Sequence, residues 1–172
     1  MADVKPEFSR VVRLDRLGSQ PFRQRIEATP KEREKLSRRF DLLSLDRLTA
    51  AVDLCRQSGE VVRLEASFEA EFVQSCVISL EPVPGAISDH FSLVFGPPEA
   101  EPEEIASGRD DAAFELLGAD AIDIGEAVAQ ELSLALPVFP RHSDASIDIG
   151  LTEVSSGSPF ASLARLRRPT ES

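Results

Sequence analysis

Hydrophobic and polar residues change their spacing several times along the chain, and each change marks an element. Between Pro6 and Leu17, the residues Val11, Val12, Leu14 and Leu17 stand among charged neighbours with Phe8 ahead of them, which predicts a short edge strand. The stretch Ala28–Phe40 reads as a helix with its start written in. Thr29 is the N-cap, Pro30 takes the first helical position, and Glu32, three residues after Thr29, completes a capping box. Leu36 and Phe40 lie four apart and give this helix one docking face, leaving Lys31, Arg33, Lys35, Arg38 and Arg39 to solvent.

From Leu43 the period becomes two. Leu48, Ala50, Val52 and Leu54 alternate with other residues, Gln57 to Glu60 read as a turn, and Val62, Leu64, Ala66, Phe68, Ala70 and Phe72 then alternate with charged or small polar partners. This predicts a long antiparallel hairpin with one wet face. Cys76 to Leu80 reads as a more buried continuation, Pro82 to Gly85 as a turn, and Ile87, Phe91, Leu93 and Phe95 as a further strand ending at Gly96. Residues 97–111 mix Pro, Glu, Asp and Gly without period and are expected to form an acidic loop. A second helix follows over Ile122–Pro137, capped by Asp123, with Val128, Leu132, Ala135 and Leu136 on one face. Residues 159–168 are expected to form a short amphipathic basic helix carrying Phe160, Leu163, Ala164 and Leu166. A meander of long strands must bury its apolar face against a helix or curl on itself. The expected fold is therefore α+β, with an antiparallel, strongly curved or barrel-like sheet, two principal helices and a short C-terminal helix. One domain is expected over 1–140, with the acidic loop inserted at 97–111, followed by a flexible tail over 141–172 that carries the short helix.

A chain of 172 residues, 42% of them hydrophobic, can build one core but not two of ordinary size. It has neither Trp nor Tyr, the aromatic donors that often mark binding pockets and interfaces. No run approaches a membrane span, and acids stand where a signal peptide carries its basic region, so a cytoplasmic protein is expected. Cys55 and Cys76 are too few for a disulfide scaffold, and small buried hydrophobes are their default reading. The net charge of −11 is unevenly spread: 12 basic against 8 acidic residues over 1–47, 3 against 18 over 48–140, and 4 against 4 over 141–172. A weakly basic head on a strongly acidic body should attract basic proteins and repel a phosphate backbone, or the acids simply keep the protein soluble.

Common catalytic signatures are absent. There is no glycine-rich nucleotide fingerprint, no phosphate-binding loop, no nucleophile elbow and no paired-histidine zinc helix. Cys55, Cys76, His90 and His142 have metal-ligand side chains but no close ligand spacing, so neither a metal nor another cofactor is expected. The acid pairs Glu103-Glu104 and Asp110-Asp111 sit in a hydrophilic stretch, where carboxylates are solvated rather than tuned for acid or base chemistry. Arg10, Arg13, Arg16, Arg38 and Arg39 are candidates for contact with RNA or the ribosome. A solvated face competes with that reading, since no aromatic residues interleave as stacking platforms.

The run Ser75-Cys-Val-Ile-Ser-Leu-Glu-Pro-Val83 resembles the Cys-x-x-Cys-Leu-Glu-Pro segment of the YceD family, the large ribosomal RNA subunit accumulation proteins. Pro6–Arg10, Leu43–Leu48, Asp123–Glu126, Gln130–Pro137 and Pro159–Leu166 follow in the family's order, so the resemblance covers most of the chain. Cys76, Leu80, Glu81, Pro82 and Phe160 carry its motifs. Ser79 stands at the second cysteine position and no cysteine follows Cys76, so the metal-binding description of other members does not carry over. The resemblance implies a non-enzymatic factor supporting 23S rRNA accumulation and large-subunit biogenesis. Its expected partner is a basic ribosomal or assembly protein held by the acidic body, with 23S rRNA contacted directly or indirectly. A direct rRNA-binding module is the alternative, and an uncharacterised enzyme a third.

Overall fold

Alternation along two long central strands sets the architecture. The computed structural model describes residues 6–18, 20–57, 60–97, 113–117 and 120–146. In chain order they form β1 (Val11–Arg13), a 3-10 turn (Leu14–Arg16), β2 (Phe22–Glu27), α1 (Pro30–Arg39), β3 (Ser44–Arg56), β4 (Val62–Ser75), β5 (Pro82–Gly96), β6 (Ala113–Leu116), β7 (Ala121–Asp123) and α2 (Ile124–Ala135). Strands β2-β3-β4-β5-β6 make one sheet in that order, antiparallel except for the parallel β5–β6 pair, while β1 and β7 form a separate antiparallel ribbon.

The period-two pattern places Leu64, Ala66, Phe68, Ala70 and Phe72 on the inner face of β4, beside Leu48, Ala50, Val52 and Leu54 of β3. Glu65, Ser67, Glu69 and Glu71 point the other way into water. Helix α2 lays Ile124, Val128 and Leu132, all fully buried, into the core, and α1 adds Leu36. Burying each such side chain contributes about 1.5–3 kcal/mol relative to leaving it in water. The α+β class with two helices is as expected, but the sheet is neither closed nor strongly curled. Helices and the β1–β7 ribbon cover the inner face, so the strands need not curl round to bury it.

Local chemistry explains where the expectations held. Thr29 accepts from the Glu32 amide while the Glu32 carboxylate accepts from the Thr29 amide, so the capping box starts α1 at Pro30. Asp123 accepts from the amides of Gly125 and Glu126 and starts α2. Three features differ. Residues 76–80 are a turn rather than a buried strand, and Pro82–Gly85, expected to turn, opens β5. Gly85 lies opposite Phe72, whose ring comes within 2.7 Å of where a Cβ would stand, so this glycine makes room within a strand. Pro82 and Pro84 have no N–H to donate, which suits a strand that among the described residues has β6 beside it only over Leu93–Gly96. Strands β2, β6 and β7 were not anticipated, and β7 takes Ile122 and Asp123 from the expected helix, which starts at Ile124. The helix expected over 159–168, Phe160 and most of the acidic loop lie outside the described residues.

Candidate functional site

The turn between β4 and β5 is organised around a buried sulfur. Cys76 is 0% exposed, and its Sγ accepts from the amides of Ile78, Ser79 and His142, each at 3.4 Å. The Cys76 amide donates to the Glu81 carbonyl at 2.8 Å and the Leu80 amide to the Cys76 carbonyl at 3.0 Å, closing the loop. Leu80 adopts φ 62, a left-handed conformation that costs a branched residue energy and is held by the surrounding bonds. The Ser79 hydroxyl lies 3.2 Å from the Glu81 carboxylate, and Pro82 starts the next strand. The segment after α2 is strapped to this turn, with the Val77 amide donating to the Pro140 carbonyl at 3.0 Å.

The His142 amide and the Ser79 hydroxyl and amide, with a smaller contribution from the Ile78 amide, hold the Cys76 thiol at about 6 against burial, which acts in the opposite sense. Donors converging on a thiolate are what a metal knuckle needs, yet a zinc site needs four ligands, and this turn supplies one sulfur and the hydroxyl of Ser79. Among the described residues no group of three or more His, Cys, Asp or Glu side chains is placed to hold a metal ion. Cys55 aligns through Arg63 with Val94, four residues along β5 from His90, a separation of roughly 13 Å. The fold thus brings His142 beside Cys76 but leaves Cys55 and His90 on distant parts of the sheet, and the described residues do not complete a metal site.

At the other end of the fold, two of the five candidate arginines are drawn inward. Arg10 grips Glu32 through both guanidinium nitrogens at 2.7 and 3.0 Å, donates to the Glu27 carbonyl, and stacks 4.7 Å over the Phe8 ring. That pair, with the Thr29 amide and hydroxyl, pulls the Glu32 carboxyl down to about 2. Arg39 bridges Glu126 and Glu7 at 2.8 and 2.9 Å, and its guanidinium is held more firmly protonated by them. Arg13 pairs with Asp15 and Arg38 with Glu34 on the surface, and Arg16 is exposed on the 3-10 turn. The basic head is therefore partly neutralised by acids of its own and of the body. Arg23–Asp53 and Arg47–Glu69 continue this across the outer sheet face.

Sequence reasoning missed a run of acids centred on Glu131. Burial, and then the neighbouring carboxylates Glu115 and Asp89, push the Glu131 carboxyl up. None of the three has a lysine or arginine ion-pair partner among the described residues. They come from β5, β6 and α2, so only the tertiary fold puts Glu131 within electrostatic reach of the other two.

A family model described as large ribosomal RNA subunit accumulation protein YceD matches residues 64–166, well over half of the chain. The chain belongs to the YceD family. Neither the curated proteins nor the solved structures yielded a match. The YceD match takes in the Cys76 turn, the acids Asp89, Glu115 and Glu131 and α2, and begins after the basic head. The family is named for the accumulation of large-subunit ribosomal RNA rather than for a catalytic step, and no helix among the described residues is long and apolar enough to cross a membrane.

Proposed function

We propose that this YceD protein acts in the cytoplasm, without catalysis, to support 23S rRNA accumulation and large-subunit biogenesis by holding a basic ribosomal or assembly protein. One observation carries the reading: Arg10 and Arg39 are engaged by internal carboxylates, whereas Glu131 feels the charges of both Glu115 and Asp89 and none of the three has a lysine or arginine partner among the described residues. Like charges held close cost energy that an incoming lysine or arginine relieves, and a net charge of −11 steers such a partner from a distance.

The test is affinity purification of the tagged protein from its own cell extract, with and without ribonuclease, beside a variant carrying Glu115→Lys and Glu131→Lys. Ribonuclease-resistant recovery of a basic large-subunit protein, lost in the variant, is expected. Large-subunit association that survives the charge reversal overturns the proposal. Recovery of 23S rRNA after protein depletion favours the alternative, direct rRNA binding, in which Arg13, Arg16 and Arg38 would be the first contacts to substitute and affinity would fall steeply with salt.

A further inference from the structure

Apolar side chains gather where the Cys76 turn meets the end of α2. Val77 is 48% exposed, Leu134 and Val138 78% and Phe139 72%, values that a core-building chain does not leave on water without a reason. Of these, Val77 and Val138 line a groove of about 380 Å³ together with Phe40, Gln74 and Leu136, while Leu134 and Phe139 are chain neighbours of its lining residues. Its walls are tied in place before anything binds. The Gln74 side-chain amide donates to the Pro137 carbonyl at 3.0 Å, the Val77 amide to the Pro140 carbonyl at 3.0 Å, and the His142 amide to Cys76 Sγ.

We infer that this groove is the docking site of the chain's own ending, residues 159–168. Three observations select that occupant. The last described residue, Ser146, lines the cleft beside Ser79 and His142, so the residues after it start from this end. The 13 residues from 147 to 159 can span up to about 43 Å, enough to bring Phe160 back to the groove. The ending is also the chemical complement of the site. Phe160, Leu163 and Leu166 recur at helical spacing beside Arg165, Arg167 and Arg168, and the carboxylates of Asp41, Glu81 and Asp144 surround this end without a lysine or arginine partner among the described residues. An apolar stripe laid in a groove with basic flanks over acids is a recurrent docking mode. The family match runs on to residue 166, so the ending belongs to the same pattern as the strands and helix it would cover.

A photo-crosslinking phenylalanine analogue placed at Phe160 of the purified full chain tests this. The expected products are crosslinks within one chain to residues 133–140 or 74–77, lost when Val138→Asp is added. Val138 is a surface position, and an unchanged melting temperature of that variant in a chain ending at residue 158 verifies that the fold is intact. Crosslinks between chains would assign the groove to a second copy and overturn the inference. Crosslinks elsewhere, no crosslinks, or crosslinks that persist in Val138→Asp would overturn it as well.

Discussion

The end of the molecule around Phe8 and α1 and the end around Cys76 hold their polar groups in opposite ways. At the first, charge is satisfied internally: Arg10 caps the Thr29–Glu32 box, and Arg39 joins Glu7 to the first turn of α2. At the second, backbone amides converge on one sulfur while the surrounding apolar and acidic side chains remain open. The first arrangement consumes its functional groups in stability, and the second leaves them exposed. A run of arginines in a sequence therefore says little about nucleic acid until their partners are known.

The largest test of this contrast is Phe8→Ala. Phe8 is fully buried, lies under the Arg10 guanidinium, and places its carbonyl 2.4 Å from where a Cβ on Gly125 would stand. Truncation should cost about 3–5 kcal/mol, read from the denaturant midpoint at unchanged slope. A cost under about 1 kcal/mol would mean that this end is not the rigid one.

Arg10→Ala is the next in size, at about 1–3 kcal/mol, because it strands Glu32 and the Glu27 carbonyl. Its signature is in acid. In the folded protein the Glu32 carboxyl sits at about 2 instead of 4.5, so the unfolded chain takes up the proton first as pH falls. The stabilisation is complete above 4.5 and is lost as pH falls through about 2. Arg10→Ala should shrink that acid-dependent loss in a series of melting curves between those values. An identical pH dependence in both proteins would remove Arg10 as the cause.

Much of the fold was legible in the residues, and the failures have physical origins. The Thr29 box and the alternation of β4 specify α1 and the central hairpin because their signals are local. The turn at Cys76 was read as a strand because Val77 and Ile78 imitate a buried run, and nothing in spacing announces a sulfur that replaces ladder bonds. In β2, Arg23, Gln24 and Arg25 dilute an alternation that only Phe22 and Ile26 carry on the core side. The parallel pairing of β6 follows a long excursion from β5 and has no local period to betray it. The split between a basic head and an acidic body was real in sequence, but pairs such as Arg39–Glu126, 87 residues apart, cancel part of it in space.

Cys76→Ser is the gentlest and most selective probe, since a hydroxyl nearly fills the place of the thiol but stays neutral over the whole range. The folded state favours the thiolate, with the group at about 6 against an ordinary 9.0, so the unfolded chain holds the proton to higher pH. Wild-type stability attributable to this group should thus rise as pH climbs from about 6 towards 9.0 and be absent below about 6. The Ser variant should lack that rise and also lose the ultraviolet thiolate step near 6. A wild-type step at the ordinary thiol value instead would show that the amides of Ile78, Ser79 and His142 do not act together on the sulfur. The Cys76 turn would then differ from the Phe8 end in exposure alone and not in how it holds charge.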